Sequence, residues 1–312
     1  MERKIAVITG ATGGIGSIVC KHLLSKGYIV YAACRNSAKG ENLLNSITDK
    51  TLRDNLIFIS VNLESSESVD EFCNKIINCL QNQKVDILLN NAGMIASMYS
   101  ITEDGYESSM QVNYLSAKQI TERLLPYITG KIINTVSPTI TSGEYKEPVK
   151  SDKIYKEKQS TLASLKHYSN SKRMLAHYTV QLHNRVGENI GVYGADPGVV
   201  NTSIISMHRW YDPIADILFR PFIKTPEQGA RPIINAIEYN RNANGAENKH
   251  PLIFIRNNIF HCIFKDFYEK LDYLTLVSLR SFFIKNNFVS LGLRLFAKQK
   301  RLPDGSLLCI KN

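Results

Sequence analysis

The segment that decides the fold runs from residue 5 to residue 16 and reads Ile5-Ala6-Val7-Ile8-Thr9-Gly10-Ala11-Thr12-Gly13-Gly14-Ile15-Gly16. Its apolar start predicts a strand, and a helix is expected directly after the glycines. A glycine-rich turn between a strand and a helix lets backbone N–H groups approach a pyrophosphate at the positive end of the helix. We assign Gly10 to the tight turn, Gly14 to the close approach and Gly16 to packing of helix against strand. A glycine-rich connector without function is the alternative.

Short apolar runs alternate with longer helical stretches along the rest of the chain. This alternation predicts an α/β fold, a doubly wound parallel sheet of the Rossmann type with helices on both faces. We expect one domain over residues 1–256 and a basic, apolar C-terminal extension over residues 257–312. The expected strands are Ile5–Thr9, Ile29–Ala33, Leu56–Val61, Val85–Leu89, Lys131–Val136 and Ile190–Ala195, with Leu252–Ile255 as a further candidate. The expected helices are Ile15–Lys26, Ser66–Gln81, Tyr106–Tyr127, Thr161–Val186 and Pro226–Tyr239.

The charge of the chain is concentrated at its C-terminal end. The formal net charge is +10, and residues 249–312 carry +7 of it. This uneven distribution favours a local role: contact with a membrane surface, contact with an acidic partner, or solubility. We expect no nucleic-acid partner, because the body of the chain shows no recognisable nucleic-acid module.

The six cysteines form no CxxC pair and no Cys/His zinc spacing, so we expect reduced thiols and no metal site. The sequence starts MERKIAVITG and enters a strand at once, which leaves no room for a signal peptide. No stretch reaches 18 uncharged apolar residues, so a membrane-spanning helix is not expected. The predicted compartment is the cytosol.

The end of the second strand predicts the choice of cofactor. A carboxylate at this position would hold an adenosine ribose 2′-hydroxyl and repel a 2′-phosphate. The residues here are Ala33-Cys34-Arg35-Asn36, without Asp or Glu. Arg35 offers a planar cationic group suited to phosphate, which favours NADP(H). An arginine that merely lies on the surface is the alternative.

A Tyr-x-x-x-Lys spacing brings two side chains together one helical turn apart. A lysine ammonium at this distance favours the phenolate and lowers the phenol pKa, so the tyrosine can exchange a proton near neutrality. The sequence contains the motif at Tyr114/Lys118, Tyr127/Lys131 and Tyr168/Lys172. The second pair spans Gly130, where a helix ends, and the first lies upstream of the fifth strand. We therefore select the third pair, whose helix follows the strand that ends near Ser137, at the edge where open α/β sheets bind ligands.

Over residues 3 to about 240 the sequence resembles the short-chain dehydrogenase/reductase family. The matching elements occur in the family's order: the turn from Thr9 to Gly16, Asn90-Asn91-Ala92-Gly93, Asn113, Ser137, Tyr168 with Lys172, and Pro197-Gly198 with Thr202. The residues 33–36, the long gap between Ser137 and Tyr168, and the segment from Lys224 to Ala230 look most like the retinol-dehydrogenase-like branch.

The resemblance implies an NADP(H)-dependent oxidoreductase that moves hydride between nicotinamide and a carbonyl or alcohol. Tyr168 would be the acid in reduction and the base in oxidation, Lys172 would tune it and bind the nicotinamide ribose, Ser137 would polarise the substrate oxygen, and Asn113 would hold a relay water. Thr202 would lie near the carboxamide. The full expected cofactor set is Thr9, Gly10, Gly14, Ile15, Gly16, Arg35, Asn62, Leu63, Asn91, Ala92, Gly93, Tyr168, Lys172, Pro197, Gly198 and Thr202. Asn62 departs from the usual Asp of the family, which weakens the expected adenine contact.

Three further hypotheses concern substrate, assembly and the C-terminal extension. The loop 138–165 and the apolar segment Ser203–Phe222, with Trp210, are expected to line the pocket, which favours an apolar substrate. The resemblance implies a homodimer through the helices Tyr106–Tyr127 and Thr161–Val186. One helical face of the extension would carry Arg280, Asn287, Arg294, Lys298 and Arg301. This pattern fits an amphipathic helix that lies on a membrane surface, or one that packs on the domain. A dinucleotide-binding sensor without catalysis is the alternative to the enzyme.

Overall fold

A computed structural model describes residues 3–96, 98–145, 147–151, 156–157, 161–186, 189–200, 224–239, 252–255 and 258–261. All of them lie within one compact unit, Met1–Phe264. Three sets of residues named in the predictions lie outside the described residues: Thr202, the segment Ser203–Phe222, and the basic positions from Arg280 to Arg301.

The described strands form a main sheet of eight strands and a small ribbon of two. Seven strands of the main sheet run parallel, as expected, and the last one runs antiparallel to its neighbour at the edge. The strands are β1 (Ile5–Thr9), β2 (Ile29–Cys34), β3 (Leu56–Ser60), β4 (Val85–Asn90), β5 (Tyr99–Ser100), β6 (Ile128–Thr135), β7 (Lys156–Glu157), β8 (Gly191–Asp196), β9 (Leu252–Ile255) and β10 (Asn258–His261). The order across the main sheet is β10-β9-β8-β6-β4-β1-β2-β3, while β5 pairs with β7. The doubly wound parallel sheet predicted from the sequence is therefore confirmed.

Helices cover both faces of the main sheet. They are α1 (Gly14–Ser25), α2 (Ser37–Asn45), α3 (Lys50–Asp54), α4 (Ser66–Leu80), α5 (Ser108–Met110), α6 (Ser116–Leu124), α7 (Thr161–Val186) and α8 (Pro226–Glu238). Apolar side chains of α4, α6 and α7 pack on one face, and those of α1, α2 and α8 pack on the other. Burial on both faces explains why strands such as β1 are apolar throughout rather than alternating. None of the helices within the described ranges combines the length and apolar character needed to cross a membrane.

The prediction of one continuous α-helix over Tyr106–Tyr127 is wrong. The chain forms α5, a π-helical turn at Gln111–Leu115, α6, and a 3₁₀ turn at Leu125–Tyr127. Pro126 lacks the N–H that would continue α6, so the last turn tightens. The π-helical turn has no comparable signal in the sequence.

Lys131 connects β6 to the end of α8. Its ammonium donates hydrogen bonds to the carbonyls of Ala236, Ile237 and Tyr239, so a cation lies at the negative end of the helix. Burial lowers the pKa of Lys131 to about 8, although the charge of Glu238 acts in the opposite direction. The Tyr127/Lys131 motif therefore belongs to the packing of a helix end.

We expect Lys131→Met to lower the free energy of unfolding by about 1–3 kcal/mol near neutral pH, because buried carbonyls lose their donor. Urea denaturation measures this loss, and Lys75→Met on the exposed side of α4 is the control, with a change within about 0.5 kcal/mol. The unfolded state binds more protons than the folded state between pH 8 and the ordinary lysine value of 10.5, so this group's contribution to stability rises with pH across that window. An unchanged urea midpoint in Lys131→Met would contradict the assignment.

Candidate active site

The glycine-rich turn leaves the amino end of α1 open to an anion. The helix begins after Gly13, which supplies no capping side chain, and its first turn carries no acidic residue. Gly10 has a φ of +68°, and a Cβ on Gly16 would lie 2.0 Å from the Gly10 carbonyl oxygen. The turn therefore requires glycine at both positions, and its first N–H groups lack a side-chain acceptor within the described part of the chain.

Hydrogen bonds fix this turn to the end of β4. The Thr9 hydroxyl accepts from the backbone N–H groups of Asn91 and Ala92, each at 3.0 Å. The Asn91 amide donates to the carbonyls of Thr9 and Gly10 at 3.2 and 3.3 Å. These contacts explain why the expected residues Thr9, Gly10, Asn91 and Ala92 lie together at the carboxyl edge of the sheet.

Gly93, in the loop after β4, lies next to the selected lysine. A Cβ at Gly93 would lie 3.3 Å from the Lys172 ammonium, so a larger residue would crowd it. Lys172 is 3% exposed and donates to the carbonyl of Thr135, the last residue of β6, at 2.7 Å. Burial lowers the pKa of Lys172 to about 8, and the charge of Asp196 raises it. A buried ammonium thus lies beside Gly93, in the loop whose residues Asn91 and Ala92 hydrogen-bond Thr9 of the glycine-rich turn.

Tyr168 and Ser137 form a pair of hydroxyls at the same edge. Ser137 follows β6. Burial raises the pKa of Tyr168 above its ordinary value, while the neighbouring Ser137 side chain acts to lower it. This direction is opposite to the lowering expected from Lys172, whose ammonium lies 6.0 Å from the centre of the tyrosine ring. The desolvation of the phenol outweighs the effect of Ser137, so the phenol is neutral near pH 7.

Asn113 lies on the π-helical turn and points to the same cluster. Its carbonyl oxygen accepts from the Met94 N–H at 2.8 Å, and its amide donates to the Met94 carbonyl and the Ser171 hydroxyl, both at 2.9 Å. Ser171 in turn donates to the carbonyl of Tyr168 at 2.7 Å. The two amide protons are used, and one lone pair of the carbonyl oxygen remains for a water. The side chain also contacts α7 at Ser171, which the sequence did not indicate.

The Tyr114/Lys118 motif lies away from this cluster. Tyr114 is buried in the core between α6 and α7, and burial raises its pKa to about 12. Lys118 is exposed and covers the rings of Tyr114 and Tyr178 at 5.9 Å. Of the three Tyr-x-x-x-Lys pairs, Tyr168/Lys172 is the one whose lysine lies beside Gly93 and the carboxyl end of β6.

The expected adenosine-binding residues surround the ends of β2 and β3. Arg35 is largely exposed, and its guanidinium lies 3.6 Å from the Glu64 carboxylate. Asn62 is exposed and accepts from the N–H of Glu64 at 3.1 Å, while the Leu63 carbonyl accepts from Ser116 at 2.7 Å. Leu63 packs against the core, so its side chain helps to shape the floor of this region.

Two charged residues at the end of β8 were not predicted from the sequence. Asp196 is 7% exposed and accepts from the N–H of Gly198 at 2.7 Å, across Pro197. Lys224 donates to the Pro197 carbonyl at 2.6 Å, and a Cβ on Gly198, whose φ is +75°, would collide with its ammonium. The position of Asp196 at the carboxyl end of a strand was the available signal. Nothing in the spacing indicated Lys224, which is brought here by packing of α8 on α1 and β8.

The comparisons with known proteins agree with this geometry. A family model described as short chain dehydrogenase matches residues 4–149. Human retinol dehydrogenase 12 is 30% identical over 234 residues, covering 73% of this chain and 71% of the relative. Human polyprenol dehydrogenase is 29% identical over 241 residues, covering 73% and 70%.

Among solved structures, a glucose/ribitol dehydrogenase of the same class from Brucella melitensis has a TM-score of 0.61, with 16% identity over 79% of this chain and 93% of the other. At that identity the match shows the fold alone, while the relatives with about 30% identity show the family. The chain belongs to the short-chain dehydrogenase/reductase family of oxidoreductases, in its retinol-dehydrogenase-like branch.

Proposed function

We propose that the protein is an NADP(H)-dependent carbonyl reductase or alcohol dehydrogenase whose substrate is apolar. The observation that carries the proposal is the neighbouring pair Ser137 and Tyr168 beside the buried Lys172, at the carboxyl edge of the sheet, where the glycine-rich turn also lies. A pair of hydroxyls next to a buried cation provides what proton transfer to a carbonyl oxygen needs.

The residues around the turn fit a nicotinamide dinucleotide. The open N–H groups at the start of α1 suit the pyrophosphate. The Lys172 ammonium, which lies next to Gly93, suits a ribose hydroxyl. Thr135 has a buried hydroxyl for which the described residues supply no hydrogen-bond partner, so a polar group is missing from its surroundings. When bound, the nicotinamide supplies or accepts the hydride.

The protein side of the reaction is proton transfer and orientation. Ser137 and Tyr168 would both contact the carbonyl oxygen, and Tyr168 would give its phenolic proton to that oxygen as the carbon receives the hydride. The carbonyl is thereby reduced by two electrons to an alcohol, and the phenolate left behind is stabilised by Ser137 and by the charge of Lys172. Tyr168 regains its proton from solvent. Because burial keeps the phenol neutral near pH 7, the residues favour reduction over oxidation at that pH.

The preference for NADP(H) is proposed from Arg35. Its ion pair with Glu64 is long and exposed, and such pairs contribute little, so the guanidinium is available to a 2′-phosphate. We expect Arg35→Ala to weaken NADPH binding about 10- to 100-fold and to leave NADH binding nearly unchanged. Fluorescence titration of both dinucleotides measures the two affinities. Arg123→Ala, which removes an exposed arginine paired with Asp70 on another surface, is the control. Equal losses for NADPH and NADH in Arg35→Ala would refute the assignment.

An apolar substrate is proposed from exposed apolar side chains in two loops that follow strands of the sheet. Met98, in the loop after β4, is 46% exposed, and Val199, after Gly198, is 51% exposed. Exposed apolar side chains often mark a surface that binds an apolar ligand. The names of two relatives, retinol dehydrogenase and polyprenol dehydrogenase, denote long unsaturated alcohols as the substrates of those proteins. We therefore propose a long-chain apolar aldehyde, ketone or alcohol as the substrate class.

The assay that tests the proposed function is NADPH oxidation by the purified full chain against carbonyl compounds of graded chain length and polarity. We expect turnover that increases with apolar chain length. The alternative, a sensor that binds the dinucleotide without catalysis, predicts NADPH binding with no turnover on any compound of the series. The relatives named above are dehydrogenases, which gives that alternative no support.

A further inference from the structure

Asp196 is a buried carboxylate beside the site that the proposed reaction does not use. It is the last residue of β8 and is 7% exposed. Its oxygen accepts from the N–H of Gly198, so the side chain holds the turn through Pro197. Burying a carboxylate is costly unless hydrogen bonds or an opposite charge compensate. A neutral oxygen could hold the same turn, so the negative charge can have an additional effect on its surroundings.

The register of the sheet places Asp196 close to the anchor of Lys172. Ala195 pairs with Thr135 across β8 and β6, and the Ala195 carbonyl accepts from the N–H of Val136 at 2.9 Å. The carbonyl of Thr135 receives the Lys172 ammonium at 2.7 Å. Asp196 is the next residue after Ala195, and Ala195 lies opposite Thr135, whose carbonyl accepts from Lys172. The two charges act through space at the low dielectric of a buried site.

The charge of Asp196 acts on both members of the Tyr168/Lys172 pair. It raises the pKa of Lys172, against the lowering caused by burial, and it raises the pKa of Tyr168, in the same direction as burial. Lys224 reaches the same turn, where its ammonium donates to the Pro197 carbonyl. On β9, the strand next to β8, the residue opposite Asp196 is the apolar Ile255.

We propose that Asp196 is a positioning residue that keeps the Lys172 ammonium and the neutral Tyr168 phenol present together at working pH. The proposal rests on the proposed function, because it assigns the charge a role in proton transfer by Tyr168. It explains how Lys172, which is 3% exposed, stays charged beside Gly93.

Two substitutions separate the charge of Asp196 from its hydrogen bond. Asp196→Asn and Asp196→Ser both keep an oxygen that accepts from the N–H two residues on, and both remove the charge. Reduction requires the protonated forms of Tyr168 and Lys172, so its rate falls as pH rises through their pKa values. Loss of the charge lowers both values. The alkaline limb of the kcat/KM profile should therefore move to lower pH by about one unit in each variant.

The matched control is Asp86→Asn. The Asp86 carboxylate accepts from the N–H of Ile5 at 2.7 Å, near the start of β4, at the opposite edge of the sheet. That substitution also keeps an acceptor and removes a partly buried charge. We expect its alkaline limb to coincide with that of the wild type. A purely structural role for Asp196 would lower the rate in its variants without moving the limb, and that result would overturn the proposal.

A second readout does not depend on turnover. In protein labelled with ¹³C and ¹⁵N at lysine, the Lys172 signal is identified by its loss in Lys172→Met, and its titration is followed without dinucleotide. We expect the midpoint to fall in Asp196→Asn and to stay in Asp86→Asn. An unchanged Lys172 midpoint would overturn the proposal, as would failure of both Asp196 variants to fold. If the wild type reduced no carbonyl compound, the proposed function would fail, while a lowered Lys172 midpoint would still show the electrostatic coupling.

Discussion

Replacing Tyr168 by phenylalanine is expected to lower kcat for carbonyl reduction by about 10²- to 10⁴-fold, the usual contribution of a positioned general acid. The ring stays in place, so α7 and the Ser137 side of the site keep their packing. The affinity for NADPH, measured by fluorescence titration, should stay within about twofold. The measurement is steady-state reduction of the best carbonyl substrate at saturating NADPH.

Tyr114→Phe is the matched control for this substitution. Tyr114 belongs to a second Tyr-x-x-x-Lys pair, but it lies buried in the core with a pKa raised to about 12. We expect this variant to keep wild-type kcat. An active Tyr168→Phe enzyme would show that another group donates the proton, and the assignment of the acid would be withdrawn.

Replacing Lys172 by methionine is expected to lower kcat/KM by about 10²- to 10³-fold, comparable to the loss of one preorganised group that stabilises charge in the transition state. The phenolate formed at Tyr168 would lose the nearby positive charge, and the dinucleotide would lose a proposed ribose contact. Both kcat and the affinity for NADPH should therefore fall. The length of methionine keeps the space beside Gly93 filled.

Lys118→Met provides the comparison, because Lys118 is the exposed lysine of the other helical pair. Its removal should leave kcat/KM within about twofold, as is usual for a surface substitution. Similar losses of kcat/KM in Lys118→Met and Lys172→Met would mean that the burial and position of Lys172 do not contribute to catalysis.

Much of the fold could be predicted because its strands are buried on both faces. Runs such as Ile5–Thr9 and Val85–Leu89 are mostly apolar, and their ends were placed within a residue or so of the observed bounds. The short helix α2 was missed, although Asn36 caps it by accepting from the N–H of Lys39. The ribbon of β5 and β7 pairs residues more than fifty positions apart, and two-residue strands leave no periodic pattern to detect.

The parts of the candidate site that could be predicted are those for which the residue type and the position after a strand together indicate a role. The glycines of the turn and the Tyr168/Lys172 pair follow strands, so chain order alone brought them to one edge. The direction of the Tyr168 pKa could not be predicted, because it depends on burial by residues that are distant in sequence. Asp196 and Lys224 were missed for the same reason, since their roles arise from contacts across β6, β8 and α8.

The role of Asp196 and the proposed preference for reduction are linked. A neutral phenol can donate a proton to a carbonyl oxygen but cannot accept one from an alcohol. The burial of Tyr168, to which the charge of Asp196 adds, keeps the phenol protonated near neutral pH and therefore also predicts that alcohol oxidation by this protein becomes faster as pH rises. Comparison of the two directions at equal cofactor saturation tests this expectation.

The most direct test of hydride transfer uses NADPH that carries deuterium at both positions of the nicotinamide C4, mixed with a long-chain aldehyde and the purified protein. We expect an alcohol heavier by one mass unit from the wild type and essentially no labelled alcohol from Tyr168→Phe. If the wild type bound NADPH but produced no labelled alcohol from any carbonyl compound of the series, the assignment of this edge of the sheet as a dehydrogenase site would be contradicted.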